Sequence, residues 1–119
     1  MNNDLALKMI GISQKAGKVI FGGNLVIASV RSKNKPSLVL LASNASENTR
    51  KKIKDGCVFH NVICVETQYS GDVFAKTIGK MSDVMVIAIT DNGLAETIIK
   101  NINDPSCAMN DDVAGGAII

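Results

Sequence analysis

Two stretches, "LVLLA" at residues 38–42 and "DVMVIAIT" at residues 83–90, limit the folds open to this 119-residue chain more than any other feature. Their apolar cores are too short and too uniform for a surface helix, whose polar face would interrupt the run. Strands covered on both faces carry such runs, and covering both faces requires helices above and below a sheet. "DVMVIAIT" is the stronger of the two, because its apolar run is the longer.

Helical patterns fill most of the sequence between and around these strands. Asp4 to Gln14 sets Leu5, Met9 and Ile12 at spacings of four and three, with Ala6 and Ile10 beside them, and Lys15-Ala16-Gly17 stops the pattern. "KVIF" is long enough only for a short strand before Gly22-Gly23 turns the chain into a second helix with Val26, Ile27 and Val30 as its buried stripe. "RSKNKPS" ends that helix in a basic, proline-containing loop. After "LVLLA", Asn44 or Ser46 can cap a third helix, and Asn44 with Glu47 has capping-box spacing. Its apolar positions, Thr49, Ile53 and Cys57, form a narrow stripe, and Arg50, Lys51 and Lys54 lie together on another side. "NVICV" reads as a third strand, "SGDVFAKTIGK" as a short helix from about Ser70 to Gly79, and "LAETIIKNI" as a last helix capped by Asp91.

This alternation of helices and short strands predicts an α/β domain with helices on both faces of one central sheet. A 46% hydrophobic share against 3% aromatic implies an aliphatic core, and the length fits one domain. We place that domain at residues 1–103, with residues 104–119 as a C-terminal tail whose acidic, glycine-containing sequence carries no period. Every apolar run is cut well short of a membrane span, and the N-terminus lacks the basic-then-apolar order of a secretory signal. A soluble, cytoplasmic protein without a membrane partner is the expectation.

Net charge is only +2, yet it is unevenly distributed. Residues 1–60 carry ten Lys or Arg against three acids, whereas residues 61–119 carry three against eight. The asymmetry suggests a basic face for an anionic partner, provided that folding does not interleave the halves.

Catalytic and metal chemistry find few residues to work with. His60 is the single histidine, and Cys57-x-x-His60 lacks the further ligands of a zinc site. Cys57, Cys64 and Cys107 make an odd count without Cys-x-x-Cys spacing and read as reduced structural thiols. Neither a nucleophile elbow nor a P-loop signature is present. No cofactor and no enzymatic activity are expected. The Gly22-Gly23-Asn24 turn is more informative, since a glycine-rich helix start offers free amides and the positive end of a dipole to a phosphate. The same residues also serve plain helix starts. Arg50, Lys51, Lys52 and Lys54 can form either a solvated face or a phosphate-binding one. With so few aromatics, base stacking on a flat aromatic sheet is not expected, and recognition of RNA shape fits better.

With those residues in place, "GISQKAGKVIFGG", "LVLLASNASENTRKKIKDGCVFHNV", "AKTIGK" and "VMVIAITDNG" resemble the bacterial YlxQ-type branch of the kink-turn RNA-binding ribosomal proteins. The resemblance covers about residues 5 to 100, with its segments in family order. Its most specific parts are Lys15-Ala16-Gly17-Lys18 and Ser46-Glu47-Asn48-Thr49 with the lysines that follow. It implies a three-layer α-β-α sandwich around a mixed four-stranded sheet, and a non-catalytic, translation-related protein that binds structured or ribosomal RNA.

In the wider family, a Gly-x-Asn-Glu-x-x-Lys pattern at the start of the second helix reads a bent duplex with tandem G·A pairs. Gly22 and Asn24 match its first two fixed positions, while Leu25 and Ala28 replace the Glu and the Lys. Neither replacement can form the side-chain hydrogen bonds of base-edge reading. The family's second contact corresponds to Lys80-Met81-Ser82-Asp83, where Met81 would meet a flipped-out nucleotide. Ser46 and Arg50 would flank the same surface, so the resemblance groups Lys18, Gly22, Gly23, Asn24, Ser46, Arg50, Lys51, Lys80 and Met81 as an RNA-binding patch. The alternative is a protein-interaction module of the same fold that has lost specific kink-turn recognition, with Leu25 and Ala28 joining an apolar contact surface.

Overall fold

The computed structural model describes residues 2–107. Its elements alternate as the hydrophobic pattern predicts: α1 (Asn2–Lys15), β1 (Val19–Phe21), α2 (Gly23–Arg31), β2 (Leu38–Leu41), α3 (Glu47–Phe59), β3 (Cys64–Glu66), α4 (Gly71–Ile78), β4 (Val86–Ile89) and α5 (Asn92–Cys107). The strands form one mixed sheet in the order β1-β4-β2-β3. β4 is antiparallel to both β1 and β2, with Val19 and Leu38 each opposite Ile89, and β2 is parallel to β3, with Val39 opposite Cys64.

The uniform apolar runs now have a physical explanation. Leu38, Leu40, Ile87 and Ile89 point to one face, where they pack with Ile10, Phe74, Ile78 and Ile98 from α1, α4 and α5. Val39, Leu41, Val86 and Ala88 point to the other, against Val26, Ile27 and Val30 of α2 and Ile53 and Cys57 of α3. Every residue of β2 and β4 is buried because the period-two alternation feeds two cores. The result is the expected three-layer α-β-α sandwich.

Three details depart from the sequence reading. The buried face of α1 consists of Ala6, Ile10 and Ser13, while Leu5 and Ile12 remain exposed. Ser13 is tolerated there because its hydroxyl donates to the Met9 carbonyl of its own helix at 2.8 Å. The capping box of Asn44 and Glu47 does not form. Ser46 is the N-cap of α3, its hydroxyl accepting from the Thr49 amide, and the Asn44 carboxamide oxygen accepts from the Gly71 amide at the start of α4. β3 begins at Cys64 rather than Asn61, because Asn61 sits in a turn at φ 60°.

Other local signals match the structure. α1 stops where Gly17 takes φ 74°, α4 closes on Gly79 at φ 77°, and the Asp91 carboxylate accepts from the Leu94 amide at 2.9 Å. α5 continues through Cys107, and the remainder of the tail lies outside the described residues. Among the described residues no helix is long and apolar enough to cross a membrane.

Candidate nucleic-acid interface

β1, β2 and β3 run one way and β4 the other, so the helices that follow the first three strands, α2, α3 and α4, all begin at the same end of the sheet. Three positive helix ends therefore converge on one rim, the carboxyl end of the parallel strands, which is where α/β folds collect ligands. Anionic partners are favoured there before any side chain is counted.

The three helix starts are not equivalent. α3 is closed by Ser46. At α4, the Asn44 carboxamide takes the Gly71 amide. By contrast, α2 begins after Gly22 with no side-chain cap and no acid in its first turn. Its leading amides stay open to an external acceptor. Gly22 holds φ 94° while its amide donates to the Val86 carbonyl at 3.0 Å, a conformation that suits glycine.

Beside this open helix start lies a groove of about 510 Å³, lined by Phe21, Gly22 and Gly23, by Thr49 from the first turn of α3, and by residues 80–86 leading into β4. The 80–86 segment is anchored at its base. Val84 donates to the Gly71 carbonyl at 3.0 Å, and Met85 and Asp83 pack so closely over Gly71 that a Cβ there would meet them at 2.8 and 3.3 Å. At the groove edge the Lys80 ammonium sits over the Phe21 ring, 4.8 Å from its centre. Met81 is fully exposed on one lip, and Leu25, 62% exposed, stands next to Asn24 on the first turn of α2.

Of the residues that the sequence reading grouped, Gly22, Gly23, Lys80 and Met81 line this groove, and Asn24 and Ser46 flank it from exposed positions. Lys51 is exposed on α3. Arg50 is engaged within the protein: its guanidinium donates to the Ala45 carbonyl at 3.1 Å and stands 3.9 Å from Glu66. Glu66 also accepts a hydrogen bond from Lys54, and that bond, with the nearby Lys54 and Arg50 charges, holds its carboxyl below the usual carboxylate range. Lys18 is not part of the groupable surface. It lies at the far end of β1, where its carbonyl accepts from the Thr90 amide at 2.9 Å, so the strand separates it from the groove.

Phe21 and Thr49 line the groove without having been singled out in the sequence. Phe21 could have been flagged as one of only three phenylalanines, placed directly before the glycine pair. Thr49 carried a signal only as part of the Ser46-Glu47-Asn48-Thr49 motif and of the α3 stripe.

The thiols offer no obvious nucleophile. Cys57 is buried and Cys64 half-buried; both are free and side by side, and the contact with Cys57, together with burial, drives the Cys64 thiol strongly upward. Among the described residues no cluster of three or more His, Cys, Asp or Glu could hold a metal ion.

The chain belongs to the ribosomal protein L7Ae/L30e/S12e/Gadd45 family, whose sequence signature matches residues 6–99. It is 40% identical to an RNA-binding protein YlxQ of Enterococcus faecium over 95 residues, 80% of this chain and 88% of that one. A Bacillus subtilis RNA-binding protein YlxQ is 38% identical over 91 residues, 76% of this chain and 88% of its own. Among solved structures, a Bacillus halodurans protein of unknown function superposes with a TM-score of 0.76 at 24% identity, covering 82% of this chain and 96% of that one. A 15.5 kD RNA-binding protein of Giardia lamblia superposes with a TM-score of 0.67 at 16% identity, covering 85% of each chain. These two share the fold.

Proposed function

We propose that this chain is a non-catalytic, cytoplasmic RNA-binding protein that docks structured RNA, kink-turn-like or ribosomal, on the groove between the Gly22-Gly23-Asn24 turn and residues 80–83. The observation that carries the reading is the uncapped start of α2 opening onto that groove, with Lys80 at its edge. Its relatives' names support RNA as the ligand. Backbone amides and lysines meet phosphates, which positions an RNA without reading its bases. Leu25 and Ala28 are both exposed on α2 and supply no hydrogen-bonding side chain, so discrimination among RNAs rests on shape and on Met81.

Binding isotherms for a kink-turn RNA, and for the same duplex with its tandem G·A pairs replaced by Watson–Crick pairs, test this directly. Tight, steeply salt-dependent binding with a modest preference for the kink-turn is expected. Lys51→Ala and Lys80→Ala should each make the salt slope shallower by about one unit. Binding that ignores salt, or no binding of either RNA, would overturn it.

A second reading is favoured by one observation: Met81 exposes apolar surface on the groove lip, and Leu25 and Ala28 expose it on α2, which starts at the groove. A protein-interaction module, serving the ribosome or translation proteins, would use that surface. Loss of a co-purifying protein on Leu25→Glu, with no RNA bound by the parent chain, would favour it.

A further inference from the structure

Five of the ten cations in residues 1–60 lie away from the groove. The turn Lys15-Ala16-Gly17-Lys18 leads into β1, and the loop Arg31-Ser32-Lys33-Asn34-Lys35 leads into β2. Both lie at the end of the sheet opposite the groove. Thr90 donates to the Lys18 carbonyl and Ser37 to the Ile89 carbonyl, so the start of β1 and the start of β2 flank the same exit of β4. With β4 between them, the strands that the two basic segments enter lie about 10 Å apart across the sheet.

All five cations, Lys15, Lys18, Arg31, Lys33 and Lys35, are exposed. Among the described residues none makes a salt bridge, in contrast to Arg50 and Lys54 on Glu66. Asp91, an acid at this end, turns an oxygen onto the Leu94 amide. Lys15 and Arg31 sit in the last turns of α1 and α2, where a cation complements the negative helix end. That role does not extend to Lys18, Lys33 and Lys35, which lie beyond the helices. Lys35 donates to the Ser32 carbonyl at 2.9 Å, which holds its loop compact.

This end also carries apolar surface. α3 ends here, and the Ile63 carbonyl accepts from Val39 near the start of β2. Phe59, 81% exposed with His60 edge-on to its ring at 5.0 Å, and exposed Ile63 lead into β3. At this end of the sheet the exposed Phe59 ring offers a stacking face to an unpaired base, and the lysines offer cations to phosphates.

We propose that this opposite end of the sheet is a second RNA-contact surface, in which Lys18, Lys33 and Lys35 hold a phosphate backbone, so that one molecule bridges two RNA segments. The inference rests on the RNA-binding reading, but it concerns different residues at the other end of β1. The molecule measures 36 × 31 × 28 Å, so two duplexes at opposite ends of the strands need not collide.

The test uses the full chain with two probes, a donor-labelled short kink-turn RNA and an acceptor-labelled plain RNA duplex. The parent protein should bind both and bring the labels together in a ternary complex. The triple variant Lys18→Gln, Lys33→Gln, Lys35→Gln should keep kink-turn affinity within about twofold. The plain duplex it binds should fall from two per chain to one, held in the groove, and it should show no energy transfer. Met81→Glu should lose the kink-turn preference and keep one plain duplex on the second surface. An unchanged melting temperature for the triple variant confirms that its fold is intact. Plain-duplex binding that the triple variant leaves untouched, or that Met81→Glu alone abolishes, would overturn the second surface. If the kink-turn probe does not bind, the groove reading fails, and the second surface still stands if the plain duplex is lost in the triple variant only.

Discussion

The Lys80 ammonium lies 4.8 Å from the centre of the Phe21 ring, coupling the segment before β4 to the end of β1 across the groove. If the groove takes RNA as proposed, the ring does more than fill space, since it holds a cation where a phosphate would arrive. Phe21→Leu should weaken RNA binding about as much as Lys80→Ala, and the pair in a double-mutant cycle should show a coupling of about 0.5–1 kcal/mol. Strictly additive losses would mean that the ring does not position the lysine.

Adjacent glycines should respond oppositely to alanine. Gly22 sits at φ 94°, so Gly22→Ala should cost about 1–3 kcal/mol in urea unfolding. Gly23 is the first residue of α2 with open space where a Cβ would stand, and Gly23→Ala should be neutral or slightly stabilising. Equal losses at both positions would contradict the geometry of the turn.

Phe74 of α4 is fully buried and packs against Tyr69 with ring centres 6.1 Å apart. Phe74→Ala should remove about 3–5 kcal/mol of stability, read as a fall in the denaturation midpoint. A loss under about 1 kcal/mol would mean that α4 does not close the core as described.

Glu66 gives a pH signature with a definite sign. Its carboxyl is held below its ordinary value by the hydrogen bond from Lys54 and by the Lys54 and Arg50 charges, so the anion is favoured in the folded state. Its contribution is complete above the unfolded carboxylate pKa and is lost as pH falls through the lower folded one. The stability difference between the parent and Glu66→Gln should therefore be small and constant near neutrality and shrink as pH falls below the ordinary carboxylate range. A difference that does not change with pH would rule out the ion pair as its source.

Much of the fold was legible because short apolar runs admit few explanations. "LVLLA" and "DVMVIAIT" could only be strands buried on both faces, and Val26, Ile27 and Val30 marked the inner face of α2 correctly. α1 was harder, since its apolar residues form more than one stripe. Packing against α4 and α5 selected the face with small Ala6 and self-bonded Ser13 over the one with Leu5 and Ile12. Asn44 was misread because a carboxamide can cap whichever helix start lies nearest in space, and Gly71 is far away in sequence. For the groove, the glycine turn pointed locally to Gly22 and Gly23, whereas Lys80, Met81 and Lys18 were grouped with it through the family resemblance. A strand separates residues at its two ends however close they are in sequence, and Lys18 belongs with the basic loops at the other end.

Mapping backbone amide shifts of the isotopically labelled chain on titration with a kink-turn RNA tests the central claim most directly. The account predicts the largest changes at Phe21 to Leu25, Thr49 and Lys80 to Asp83, around the uncapped start of α2. Changes that bypass these residues, or a spectrum that RNA leaves unaltered, would contradict it.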